Sequence, residues 1–225
     1  MTSQSPGILR IVAIPATLTL VVTVLRLVGE LNGWDPTWFA NEQPDPNNDA
    51  AHPGFVGIAY VVPLFGLWFG FRLRKLTGGP KHLGKAALLF VLGAGVLIGA
   101  FFGLRAAGLV TLPSEDAPGT PTGLEYALGA IALSLLVMTF AWPRLAGTLL
   151  LYGLLARIPV VVVTWIALTN GWDTHHVKLP PGTELPAGTG KLVFLATPQL
   201  TFWIAYTLFV GGLSGCLGAA LARRK

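Results

Sequence analysis

Arg157 is the residue whose type and position most demand an explanation, because it stands near the middle of a long apolar run. A central arginine costs roughly 3 kcal/mol on membrane-insertion scales. An acidic partner, backbone carbonyls, water or an anionic ligand must offset that cost. Pro159, two residues on, cannot donate to the turn before it, which leaves a carbonyl open nearby. Arg26 and Glu30 lie four residues apart in the first apolar run and so share a helix face. Arg105 closes the third run and Glu125 opens the fourth. If a bundle gathers Arg26, Glu30, Arg105, Glu125 and Arg157, the result is a polar pocket with three arginines against two glutamates. Such a pocket suits an anionic ligand, a lipid phosphate or a small carboxylate. The competing reading has Arg26 and Arg105 snorkelling to the interface and Arg157 held in a structural buried pair.

A second group carries nitrogen and oxygen donors. Asp173, His175 and His176 follow the fifth run, and Asp35 and His52 follow the first. Together Asp173, His175, His176 and His52 form a mixed N/O set of the kind that binds zinc and similar ions. Their spacing is not a His-Glu-x-x-His signature. A proton-handling or ligand-binding histidine pair is an alternative, and plain interfacial residues are another. No nucleophile-and-base motif accompanies them, so the sequence assigns neither a catalytic residue nor a cofactor.

These residues sit on helices that the hydropathy pattern dictates. The chain has 225 residues, 53% hydrophobic and only 11% charged, whereas soluble domains carry about 25% charged residues. A crossing helix needs about 20 mostly apolar residues. Six runs qualify: Ile8–Leu31, Gly54–Phe71, Leu83–Arg105, Leu124–Trp142, Leu145–Leu168 and Leu192–Ala222. The expected fold is an all-α polytopic membrane bundle, a single transmembrane domain over residues 1–225. The first run is too long for a signal h-region and lacks a small-x-small cleavage site, so a retained helix is expected.

The charges orient the bundle. With both termini in the cytoplasm, the inner side holds Arg10, Arg72, Arg74, Lys75, Lys81, Lys85, Arg144, Arg223, Arg224 and Lys225, with no acidic residue. The outer side holds the carboxylates, with only Lys178 and Lys191 for positives. This is a positive-inside pattern. It accounts for the net charge of +5 without nucleic acid as a partner. Anionic lipid at the inner face is attracted to Arg72, Arg74 and Lys75. Chemistry that needs a carboxylate is confined to the outer side. Gly78-Gly79-Pro80-Lys81 is a turn and not a phosphate-binding loop. A lone cysteine, Cys216, excludes an intramolecular disulfide and a cysteine metal cluster.

An internal repeat is visible. Asn32-Gly33-Trp34-Asp35 recurs as Asn170-Gly171-Trp172-Asp173, and Pro63, Trp68 and Phe71 recur as Pro198, Trp203 and Tyr206. Spans one and two therefore resemble spans five and six in the same orientation, as in parallel-repeat transporters. The alternative is local physics: Asn-Gly suits a helix end and Trp suits an interface. Gly95, Gly99 and Gly103 form a small-residue stripe on span three, with shorter ones at Gly66 and Gly70 and at Gly211 and Gly215. They predict close helix packing, or a homodimer face.

Three functional classes follow, and the sequence alone favours the first. It is a small transporter or ligand-binding protein of the cell membrane, the inner membrane in a bacterium, with an outward polar pocket for an anionic solute or lipid. The second is a structural or assembly subunit with a partner subunit. The third is an enzyme facing the outer leaflet or periplasm, metal-dependent if the histidines bind an ion.

Overall fold

The computed structural model describes residues 7–40, 54–185 and 188–222. It is 75% helix with no strand among the described residues. The helices are α1 (Ile8–Leu31), α2 (Pro36–Phe39), α3 (Ile58–Thr77), α4 (Leu83–Ala106), α5 (Leu124–Ala141), α6 (Pro143–Asn170), α7 (Lys191–Leu200) and α8 (Phe202–Leu221), with a 3₁₀ turn at His175–Val177. Five helices are long and apolar enough to cross a membrane: α1, α4, α5, α6 and the α7–α8 run Lys191–Leu221.

Two of the expected spans differ from their predicted form. The run Gly54–Phe71 becomes helical only at Ile58 and continues to Thr77, so Arg72, Arg74 and Lys75 fall inside the helix. Its apolar stretch is thereby shorter than those of the other five. The expected single helix Leu192–Ala222 is broken. Thr201, at φ −123° and ψ −78°, ends α7 and starts α8. Pro198 precedes the break and has no N–H for the helix ladder, which weakens the last turn of α7.

The surface is the inverse of a soluble protein. Leu9, Ile14, Leu64, Phe102 and Phe140 are all exposed, while Arg157, Glu30 and several threonines are buried. Five of the buried threonines, all on helices, satisfy themselves within their own helix. Thr19, Thr23, Thr148, Thr164 and Thr207 each donate to the carbonyl four residues back. Bare backbone sites in an apolar medium are costly, so such local bonding is expected there.

Helix α8 is the centre of the bundle and packs on α3, α4, α5, α6 and α7. Its closest approach is to α3, backbone on backbone. A Cβ on Gly70 would collide with the Gly215 carbonyl, one on Gly66 with Gly211, and one on Gly218 with the Leu67 carbonyl. The predicted close packing is therefore present at these glycines. It is absent at Gly95, Gly99 and Gly103, where an added Cβ meets nothing within 4 Å. The stripe on α4 meets none of the other described residues at Cβ distance.

Tyr152 of α6 ties three helices together. Its hydroxyl lies 2.8 Å from Thr19 Oγ1 on α1. The Thr19 hydroxyl proton already goes to the Pro15 carbonyl, so Tyr152 is the donor. Its ring meets Phe65 and Phe69 of α3 edge-on, at 5.5 and 5.4 Å. These contacts hold α1, α3 and α6 around one end of a cavity described next.

Candidate functional site

Arg26 and Glu30 pair as their spacing predicts, with Arg26 Nε donating to Glu30 Oε1 at 2.7 Å. The Glu30 carboxylate is wholly buried and holds more than Arg26. His175 Nδ1 lies 2.5 Å from Oε1, and the His175 backbone N–H donates to Oε2 at 3.1 Å. Arg26 also donates through Nη2 to the Ala40 carbonyl at 3.1 Å. Ala40 is brought there by α2, which Asp35 caps by accepting from the Thr37 N–H. Phe39 then folds back over Gly29, where no side chain could fit. The segments that follow α1 and α6 thus converge on one carboxylate. The Arg26 side chain is only 12% exposed.

His176 stacks on His175 with ring centroids 3.8 Å apart. Burial, with His175 and Arg26 close by, pushes the His176 imidazole down to about 2. Burial also lowers His175, and Arg26 adds to this; the hydrogen bond to Glu30 acts in the opposite sense without outweighing it. Both rings are therefore neutral near pH 7. His176 Nε2 is buried without a hydrogen-bond partner among the described residues.

Arg157 is 4% exposed on α6. Its guanidinium lies over the Trp203 ring, 4.5 Å from the centroid, and Nη1 donates to Gln199 Oε1 at 3.1 Å. Nη2 has no partner among the described residues. No carboxylate pairs with Arg157 there. The cation is held by an amide oxygen and an aromatic face, both neutral. Gln199 was not among the residues singled out from sequence. Its signal was an amide inside an apolar run, four residues before Trp203 and so on the same face.

Arg157 and Arg26 line one cavity of about 500 Å³, bounded by α1, α3, α6, α7 and α8. Lys178, His175 and His176 stand at the loop end, and Gln199 and Trp203 beside Arg157. Val22, Ile58, Val160, Phe194 and Leu195 supply apolar wall. No aspartate or glutamate among the described residues lines it. No family model, curated protein or solved structure matches the chain.

Other expected members of the site lie elsewhere. Arg105 is exposed at the end of α4 and stacks on Phe101 at 5.7 Å. Glu125 is exposed in the first turn of α5. Neither lines the cavity, whose helical walls come from α1, α3, α6, α7 and α8 and not from α4 or α5. Of the expected metal ligands, His52 lies outside the described residues. Asp173 is largely exposed and pairs with Lys178 at 3.3 Å. Among the described residues no group of three or more His, Cys, Asp or Glu is placed to share a metal ion. Among the described residues the lining combines cationic side chains, neutral polar groups and apolar walls.

Proposed function

We propose that the protein is a small transporter or ligand-binding protein of the cell membrane whose outward-opening cavity takes an anionic solute or lipid. One observation carries this reading. Arg157 is buried in the cavity wall, and among the described residues its partners are all neutral and its Nη2 is uncommitted. A charge left in that state is costly. An anion accepting from Nη2 supplies the missing countercharge through a charge-assisted hydrogen bond, the strong kind.

The proposal includes six spans, with α3 as the short second span, and both termini in the cytoplasm. The basic cluster Arg72, Arg74 and Lys75 near the end of α3 and the carboxylates of the opposite loops support that orientation. It also includes the internal repeat. Asn32 and Asn170 donate their side-chain amides to the carbonyl four residues back, at 2.7 and 2.8 Å. Gly33 and Gly171 have φ of 61° and 65°, and the Trp34 and Trp172 N–H groups both reach five residues back at 2.9 Å. One copy has since diverged: α3 runs through Pro63, whereas its counterpart breaks just after Pro198.

The test is retention of a small anion, read by native mass spectrometry or calorimetry with inorganic phosphate or acetate. The unmodified protein binds one equivalent, and Arg157→Gln binds none while eluting as the same species. Equal binding by the two would remove the reading. Orientation is tested on a Cys216→Ala background. A membrane-impermeant maleimide labels Lys178→Cys in intact cells, and Lys81→Cys only after lysis; the reverse order inverts the topology.

A second reading, an assembly subunit, draws support from α4. Gly95, Gly99 and Gly103 leave an open small-residue face on which another helix could pack closely.

A further inference from the structure

Arg157 is not alone in the cavity wall with an unused polar atom. His176 lines the same cavity, and its Nε2, like Arg157 Nη2, is buried with no hydrogen-bond partner among the described residues. Several other polar groups of the wall are already engaged. Thr23 donates to the Thr19 carbonyl, and the Tyr206 hydroxyl donates to the Ala59 carbonyl at 3.4 Å. Arg26 is bound by Glu30 and the Ala40 carbonyl, and His175 Nδ1 faces Glu30. A buried polar atom left without a bond is costly, so each of the two open atoms calls for a ligand group.

Their separation follows from the register of α1 and α6. Thr19 meets Tyr152, and Glu30 near the end of α1 meets His175 beyond the end of α6, so the two helices run in the same direction. Glu30 is 11 residues past Thr19 and Arg157 only 5 past Tyr152, so at about 1.5 Å per residue the two levels differ by about 9 Å along the axis. His176 shares the Glu30 level, because its ring lies 3.8 Å from that of His175. The wall between the two levels is apolar. Val160 stands about one turn past Arg157, and Phe194 and Leu195 stand about one turn before Gln199 on α7, the helix that returns from the loop end.

The two poles differ in charge. At the loop end, Arg26 is matched by Glu30 and Lys178 pairs with Asp173 at 3.3 Å. Both imidazoles there are neutral near pH 7, since burial lowers them. At the deep end, Arg157 is a cation held by Gln199 and Trp203, both neutral. One end of the cavity therefore takes a single negative charge. The other takes a neutral hydrogen-bonding group, and a second anion buried there would meet no unmatched cation among the described residues.

We infer that the ligand is an elongated monocarboxylate with a neutral hydroxyl at its far end, about 9 Å from the carboxylate. The carboxylate accepts from Arg157 Nη2, the hydroxyl bonds to His176 Nε2, and the chain between them lies along the apolar wall. The single charge of a carboxylate matches the single unpaired cation. This inference rests on the anion-binding reading above and adds the chemical class of the anion, with His176 as the residue that selects it.

Three probes separate the inference from the reading beneath it. They are octanoate, 8-hydroxyoctanoate and octanedioate, each offered to the full-length protein in a neutral detergent and followed by native mass spectrometry. The hydroxy acid is expected to be retained about tenfold over octanoate, the size of one good hydrogen bond to an otherwise unsatisfied buried atom. Octanedioate is expected to be retained less than the hydroxy acid. A shorter pair, 4-hydroxybutanoate and butanoate, is expected to show no such difference, because the hydroxyl stops short of His176. His176→Phe keeps an aromatic ring but no nitrogen, and is expected to hold octanoate as before while losing the preference for the hydroxyl. If octanoate and 8-hydroxyoctanoate bind equally and both through Arg157, the anion site stands and the second pole is wrong. If octanedioate binds best, or if the preference survives in His176→Phe, the inference is likewise overturned. If no carboxylate binds, both readings fail together. The comparison of ligands on the unmodified protein decides the question even where His176→Phe does not fold.

Discussion

Glu30 and His175 are 145 positions apart in the chain, yet their side chains meet at 2.5 Å. The contact joins the end of α1 to the turn that follows α6. Because Arg26 and the His175 backbone N–H also reach the same carboxylate, Glu30 fixes the loop end of the cavity from three directions. The loop carrying His176 and Lys178 then takes its place relative to Arg157.

Removing that carboxylate should loosen the loop end. Glu30→Ala leaves Arg26 buried without its countercharge, and breaking a buried pair costs about 3–5 kcal/mol. Glu30→Gln keeps an acceptor for one donor and should lose less. Thermal unfolding in detergent, with limited proteolysis at residues 171–180, reads both. An unchanged midpoint and unchanged cleavage in Glu30→Ala would mean that the carboxylate does not hold the loop.

The two histidines predict how stability responds to pH. Burial holds both below the ordinary imidazole value of 6.5, so the unfolded state binds more protons than the folded one in acid. The stability that the neutral rings contribute is complete above pH 6.5. It declines as pH falls toward their folded values, for His176 toward about 2. The slope is at most about 1.4 kcal/mol per pH unit for each group. The melting temperature should therefore fall between pH 7.5 and 5, and His176→Phe should flatten that dependence. A wild-type curve no steeper than that of the variant would show that His176 titrates normally.

The glycines of α3 and α4 should respond in opposite ways to the same change. Gly70→Ala drives a methyl into the Gly215 backbone, which no side-chain rotation relieves. Its cost should be at the upper end for point mutations, about 4 kcal/mol or more. Gly99→Ala meets open space and should be neutral or stabilise α4 by up to about 1 kcal/mol. Paired unfolding curves check this. Equal losses at the two positions would contradict the α3–α8 packing; a loss at Gly99 alone would mean that α4 is covered by another copy or subunit.

Much of this was legible from residue patterns. Apolar runs set the helices, because length and hydropathy are local properties; α1 was predicted to the residue. The i, i+4 pairing of Arg26 and Glu30 was legible for the same reason. The break at Thr201 was harder to see, since Pro63 sits in α3 without interrupting it while Pro198 lies three residues before a break. The difference lies in what each helix packs on. The grouping of Arg105 and Glu125 with Arg157 failed because a shared end of the bundle does not imply a shared face. Both belong to helices that contribute nothing to the cavity wall. The partners of Arg157 were missed for a complementary reason. A buried cation draws attention to carboxylates, and here Gln199 and Trp203 hold it instead.

Arg157 itself separates a binding role from a structural one. If the guanidinium serves the fold, its contacts with Gln199 and Trp203 outweigh the cost of its burial, and replacing it with an apolar residue must destabilise the protein. If it serves a ligand, the unliganded protein carries that cost without compensation. Exchange of buried charged groups for apolar residues of similar volume is often neutral or stabilising by about 1–4 kcal/mol. Arg157→Leu should then leave the unfolding midpoint unchanged or raised while anion binding disappears. Arg157→Lys keeps a charge but loses the planar fork, so it should bind an anion more weakly while folding normally. The decisive measurement is the unfolding midpoint of Arg157→Leu beside its anion retention. A lower midpoint with retention intact assigns the arginine to the fold, and a preserved midpoint with retention lost assigns it to the ligand.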